Sequence, residues 1–402
     1  MRTPVVLVVG QGDSDAVTGA LLRRPGTLVV EHQFDGQVVR RTTITLQKGV
    51  LTTAETALEL AHGCINCTIR NDLLILLRQL HRRDDVDRIV VHLSHLSPWL
   101  EPEPICVAID HVRIRVAPGY IDGPAARDVE VAAVLTCVDT QQWLGQALGD
   151  DELDDGRPVA QVVVGQAEFA DVLVLTHPEP TTLTALRRLA PRARITVGVE
   201  RVEMCLAHLD PATRRGRSDD PHDPLLAGEP PLEAEGAVKI VEFRARRPFH
   251  PERFHAAVDV LLDGVIRTRG RAWLANRSEQ GAWIESAGGG MRISSAGKWL
   301  AAMSSSEQAY AAPERRAMAE LMWEDGIGDR HTSMTVLVCG AEPAEIVDAL
   351  NGALLTDEEM AMPHKWSRYA DPFGDWHEDP CGELSGLTQE SPSHGNRGGE
   401  QR

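Results

Sequence analysis

Val5-Val6-Leu7-Val8-Val9-Gly10-Gln11-Gly12-Asp13-Ser14-Asp15-Ala16-Val17 decides the fold class. An unbroken β-branched and aliphatic run that stops at a glycine has the pattern of a short strand buried on both faces of a parallel sheet. Comparable runs follow at Thr27–Val30, Ile89–Leu93, Val131–Val138 and Val172–Thr176, with helical patterns between them. The clearest helix is predicted over Asn71–His81, where Leu73, Leu76, Leu77 and Leu80 share a face and Asn71 and Asp72 stand at capping positions. Strands alternating with helices predict a doubly wound α/β domain with a mostly parallel sheet.

The chain has 402 residues, 43% hydrophobic and 25% charged, enough for two or more folded units. The α/β domain is predicted over residues 1–205, and the Arg-, Asp- and Pro-rich stretch 206–236 reads as a linker. Residues 237–360 read as a smaller α+β domain, with strands at Lys239–Phe243, Ile266–Leu274, Ala282–Glu285, Met291–Ser294 and Thr335–Cys339 and a helix over Pro251–Leu262. Residues 361–402 form a tail with little to bury from about Gly382, where disorder is expected. No apolar run reaches the length of a membrane span and no secretion signal is evident, so the expected location is cytoplasmic. Seven scattered cysteines do not make a disulfide framework, and Cys106, Cys137, Cys205, Cys339 and Cys381 read as core residues or thiols without a ligand role. A net charge of −18 disfavours broad nucleic-acid binding and suits basic protein partners.

A nucleotide-binding loop after the strand that ends at Gly10 requires G-x-x-x-x-G-K-[ST]. Gly10 to Val17 keeps the first glycine and Gly12, but Asp15 replaces the second glycine, Ala16 the lysine and Val17 the hydroxyl that holds Mg²⁺. Asp13 and Asp15 bring negative charge to the place of phosphate oxygens, where like charges about 4 Å apart repel by roughly 4 kcal/mol at an effective dielectric near 20. The strand Asp87–Ser94 carries His92 where a nucleotide hydrolase holds its metal-positioning acid, and Thr176-His177-Pro178-Glu179 stands where a guanine-specificity motif would be. No catalytic residue is therefore assigned. GTP is not expected as a ligand, and the simplest role for Gly10–Asp15 is a turn that caps the next helix.

Gly63-Cys64-Ile65-Asn66-Cys67-Thr68-Ile69-Arg70-Asn71-Asp72-Leu73 closely resembles the Gly-Cys-x-Cys-Cys-x-x-Arg-x-Asp-Leu segment of the CobW-type GTPases. Gly165–Val172 and Leu189–Ala193 are similar to later motifs of that family. Arg247–Arg253, Gly264–Leu274, Gly328-Asp329-Arg330 and Leu354–Glu359 look like its C-terminal domain, so the resemblance runs over roughly residues 1–360. It implies a P-loop-like sheet followed by a CobW C-terminal domain, and a link to metal delivery. Within the family the sequence resembles an actinobacterial branch with a degenerate loop, found with zinc-independent ribosomal protein paralogues. That likeness implies a pseudo-GTPase that acts under zinc limitation, with a ribosome hibernation factor and the small ribosomal subunit as partners. A GTP-dependent zinc metallochaperone and a zinc sensor without GTPase activity are the competing readings.

The family's motif can place three thiolates on a metal, and here the middle one is Asn66. Cys64 and Cys67 remain candidate zinc ligands, needing two more donors for a tetrahedral site, for which Glu31, His32 and His62 are available. His92 and His95 form the one H-x-x-H pair, but at a strand end the alternation of side chains predicts that they face apart. Candidate partner contacts are Arg246, Arg247, Arg253 and Trp376, with Trp366 beside them, although such arginines also pair readily with a domain's own carboxylates. Arg244–Arg247, Arg267–Arg271 and Arg214, Arg215 and Arg217 are the basic patches available to RNA.

Overall fold

The computed structural model describes residues 1–60, 65–117, 120–217 and 225–374. His62, Cys64, Trp376, Cys381 and the tail expected to be disordered from residue 382 lie outside those residues.

The N-terminal strands are β1 (Thr3–Gly10), β2 (Thr27–Phe34), β3 (Val39–Gln47), β4 (Val50–Leu58), β5 (Arg88–His92), β6 (Ile114–Ala117), β7 (Tyr120–Asp122), β8 (Val129–Val138), β9 (Val172–Leu175) and β10 (Arg194–Val197). The helices among them are α1 (Ser14–Leu22), α2 (Ile65–His81), α3 (Pro102–His111), α4 (Trp143–Leu148), α5 (Val159–Glu168), α6 (Pro180–Leu189) and α7 (Val202–Ala207). Eight strands form one sheet in the order β10-β9-β8-β1-β5-β2-β3-β4. It is parallel from β10 to β2 and antiparallel across β2, β3 and β4. Strand β1 lies at its centre, and Val5 to Val9 are all buried, as a run apolar on both faces requires. On one face Leu28, Val30 and Val91 pack against Leu73 and Leu77 of α2; on the other Val29 and Val90 pack against Val17 and Leu21 of α1.

One local expectation is corrected, and one element is added that the sequence did not announce. Helix α2 starts by Ile65, a turn and a half before Asn71, so Asn71 and Asp72 are interior residues rather than caps. Asp72 instead accepts from His32 Nε2 at 3.0 Å and from Arg41 Nη1 at 2.5 Å, which ties α2 to β2 and β3. The β3–β4 hairpin has no apolar run to announce it, because β4 is exposed along nearly its whole length. Its turn residues Lys48 and Gly49 have φ of 50° and 79°, the left-handed pair that a two-residue hairpin turn needs.

The C-terminal unit pairs β11 (Val238–Ala245), β15 (Thr332–Cys339), β12 (Val265–Trp273), β13 (Gln280–Ala287) and β14 (Gly290–Lys298) in that order, all antiparallel. Its helices are α8 (Pro251–Ala256), α9 (Ser305–Tyr310), α10 (Pro313–Leu321), α11 (Pro343–Ala353) and α12 (Asp357–Met360). Stacked Phe243, Phe249 and Phe254 centre its core, with ring centroids 5.9 and 4.5 Å apart. The two units share a core in which Val163, Val164 and Ala167 of α5 meet Ile266 and Leu337. At that junction Arg267 reaches Glu168 at 3.0 Å and Glu285 at 3.6 Å, while Arg269 reaches Glu285 at 3.0 Å and Glu168 at 3.8 Å. Burial raises the pKa of Glu285, but the two guanidiniums outweigh it and hold the carboxyl below its ordinary value. The stretch Arg267–Arg271 is therefore an interior strand and not a surface for RNA; Arg271 lies over the Trp299 ring, 5.6 Å from its centroid. The predicted linker is pinned at two points, where the Arg215 N–H donates to buried Asp171 at 2.8 Å and Leu225 joins the shared core. Among the described residues no helix is long and apolar enough to cross a membrane.

Candidate functional site

The parallel register sets Val8 of β1 beside His92 of β5, and Glu31 of β2 beside the same His92. The loop from β1 into α1 thus lies across the carboxyl ends of β5 and β2, the place where open α/β sheets hold their ligands. The loop is closed down on itself. Gly10 has φ of 105°, and a Cβ there would come within 2.2 Å of the Cys137 carbonyl oxygen; one on Gly12 would come within 2.8 Å of the Val138 nitrogen. The Gly12 N–H donates to Cys137 O at 2.9 Å and the Ser14 N–H to Gly12 O at 2.7 Å. Asp13 caps α1, its Oδ1 accepting from the Ala16 N–H at 3.0 Å. A helix N-terminus after a glycine-rich loop attracts an anion because its first N–H groups lack partners. Here the chain's own carboxylate supplies that anion. Asp15 leaves its carboxylate in solvent, Ala16 offers no cation and Val17 is buried against the sheet.

Around His92 stands a polar group that the sequence pattern did not assemble. Its ring is almost fully buried, with Nδ1 3.0 Å from Glu31 Oε1 and Nε2 3.0 Å from Ser14 Oγ. Asp15 Oδ1 lies 3.8 Å from His92 Nε2, and Glu31 Oε2 lies 3.9 Å from His95 Nε2. Burial raises the Glu31 pKa, but its hydrogen bond with His92 and the nearby His95 and His92 charges leave it below the ordinary carboxylate value. An ionised Glu31 can only accept, so His92 Nδ1 carries the proton toward it. His92 and His95 do not face apart: their ring centroids are 5.5 Å from each other. The chain leaves the strand at His92 for a 3₁₀ turn over Leu93–His95, whose three-residue repeat returns His95 to the side that strand alternation denies it. A Ser-His turn straight after a strand was the available signal.

Of the proposed zinc donors, Cys64 and His62 lie outside the described residues. Cys67 lies on α2, and His32 is held by Asp72 on the α2 face of β2. Glu31, the next residue along β2, is taken by His92 on the opposite face. The candidate partner arginines are engaged within the C-terminal unit. Arg246 meets Glu324 at 3.1 Å and the Gly328 carbonyl at 2.9 Å; Arg247 meets Asp357 at 2.6 Å and the Leu355 carbonyl at 2.8 Å. Arg253 meets Glu359 at 2.6 Å and the Leu354 carbonyl at 2.9 Å, holding the Glu359 carboxyl at about 2. Trp366 is not an exposed anchor: it is buried edge-on to Trp273, its Nε1 donating to Glu359 O at 2.9 Å. Among the described residues Trp323 is the exposed tryptophan, close in sequence to exposed Met318 and Leu321 of α10.

Residues 29–194 match the family described as the CobW/HypB/UreG nucleotide-binding domain, and residues 238–354 match the cobalamin synthesis protein CobW C-terminal domain. The protein named zinc chaperone Rv0106 of Mycobacterium tuberculosis is 69% identical over 99% of both chains. The chain belongs to the CobW family. A more distant relative, zinc-regulated GTPase metalloprotein activator 1 of Dictyostelium discoideum, is 25% identical over 86% of this chain and 74% of its own. The solved structure of Zn(II)-bound YjiA GTPase from E. coli is 16% identical, covering 88% of this chain and all of that one with a TM-score of 0.36. The nucleotide-domain match starts at Val29, after the β1–α1 loop has ended.

Proposed function

We propose that this CobW-family chain works in zinc homeostasis as a pseudo-GTPase that takes no nucleotide at the β1–α1 loop, and that under zinc starvation it recruits a ribosome hibernation factor to the small ribosomal subunit. The observation that carries the first part is the Asp13 carboxylate seated at the start of α1, where a phosphate would have to lie. Ala16 and His92 add to it: neither the phosphate-neutralising cation nor the metal-positioning acid is present, and a GTPase needs both. Relatives named as zinc chaperones support the zinc context. The partner assignment is supported by the resemblance described above and by the net charge of −18, which steers association with basic proteins. Exposed Met318 and Leu321, three residues apart on α10, with Trp323 just beyond, offer an apolar face of the kind that proteins use for docking.

The second reading, a zinc chaperone driven by GTP, is favoured by the relatives' names but requires the seat that Asp13 fills. Ala16→Lys alone should leave GTP hydrolysis at background in a phosphate-release assay, since Asp13, Asp15, Val17 and His92 remain. The recruitment reading is tested by co-sedimentation of the full chain with purified small subunits and the hibernation factor at low zinc. Retention that needs no nucleotide, and that Leu321→Asp reduces at least tenfold, is expected. Absence of retention with every component folded would end the recruitment reading.

A further inference from the structure

We propose that Asp15, His92 and His95 bind one divalent transition-metal ion of the zinc class at the carboxyl end of β5, with Glu31 holding His92 in place. Each of the three offers one donor atom, and these atoms lie within 4.8 Å of one another. Ligands of a tetrahedral zinc ion stand roughly 3.3 Å apart at bond lengths of about 2.0–2.1 Å, so the three need only close in. The two that must move can do so: Asp15 is 86% exposed and His95 is 34% exposed at their side chains. The fixed one is already aimed. His92 is 1% exposed, and its Nδ1 is committed to Glu31, which in the neutral imidazole leaves Nε2 as the lone pair facing Ser14 and Asp15. A carboxylate behind a histidine ligand is the usual means of fixing the tautomer and ring orientation of such a ligand. Two imidazoles with one carboxylate suit zinc and its neighbours better than magnesium or calcium, which take oxygen ligands, and a three-residue set leaves a fourth position for water or a donor from a partner.

The site lies on the other face of the sheet from α2, the helix that carries Cys67. Glu31 and His92 continue the register of Val29 and Val90, which pack on α1, whereas α2 packs on the opposite face. It also stands where a nucleotide's metal would stand, so that a metal held by side chains occupies the ground that the loop has lost. The proposal does not depend on the ribosomal partners.

The test uses the full chain with Cys64→Ser and Cys67→Ser together, so that the other candidate site is removed. Zinc is titrated in competition with a chromophoric chelator, and cobalt(II) serves as a spectroscopic probe. The expected result is one equivalent of bound metal, with visible d–d absorption and no thiolate-to-cobalt charge transfer. Adding His95→Ala or Asp15→Asn should weaken zinc at least tenfold without moving the metal-free melting temperature, and Glu31→Gln should weaken it about 10–100-fold. Less than one equivalent in the cysteine-free chain, or an affinity unchanged by His95→Ala, would overturn the proposal.

Discussion

Glu168→Ala should lower the stability of the full chain by about 3–5 kcal/mol, measured as a loss in the urea midpoint with an unchanged slope. Glu168 ends α5 and faces Arg267 and Arg269 from across the junction between the two sheets, and all three side chains are at most 15% exposed. Removing it leaves two guanidiniums to share Glu285 in a setting that water barely reaches. Taking one partner from a buried ion group costs far more than the group contributes over an apolar replacement, because the remaining charges are left with less compensation. The same change in an exposed pair such as Arg83–Asp85 should fall within about 1 kcal/mol. A loss below 1 kcal/mol at Glu168 would mean that water reaches the ion group at this junction.

Gly10→Ala should be the next most damaging change, at about 1–3 kcal/mol for the backbone conformation alone, with the collision against β8 in addition. The residue sits at φ of 105°, and the added Cβ would meet the Cys137 carbonyl at 2.2 Å, a contact that only backbone movement can relieve. In a working nucleotide-binding loop this substitution would be read as loss of ligand. Here it should appear as lost stability, seen by urea denaturation, while His95→Ala, at an exposed side chain nearby, should leave the midpoint in place. Equal effects at the two positions would show that the close seating of the loop on β8 is not what holds it.

The parallel part of the sheet was legible because β1, β5, β8 and β9 are short runs apolar on both faces, a pattern with few other solutions. The β3–β4 hairpin was not, since its threonines and arginines alternate without a buried face, and only Lys48-Gly49 marks the turn. The capping expectation at Asn71 and Asp72 failed because a polar residue near an apparent helix start can instead serve a tertiary contact, as Asp72 does with His32 and Arg41. At the candidate site the sequence showed what the loop lacks, since each missing group is a single substitution in a fixed pattern. It did not show that Asp13 fills the anion's place, which depends on the side chain folding back onto Ala16. Nor did it bring His95 to His92: that depends on a 3₁₀ turn replacing strand geometry over three residues. The pairing of Arg267 and Arg269 with Glu168 was hidden for a similar reason, since the partners meet only after two separate units pack together.

Equilibrium binding of GTP and GDP in the presence of Mg²⁺, by isothermal titration of the full chain, tests the central claim most directly. The account predicts no saturable heat at nucleotide concentrations up to the millimolar range, in wild type and in Ala16→Lys alike. Micromolar binding of either nucleotide that Asp13→Ala strengthens or Gly10→Ala abolishes would place a nucleotide in this loop and contradict the account.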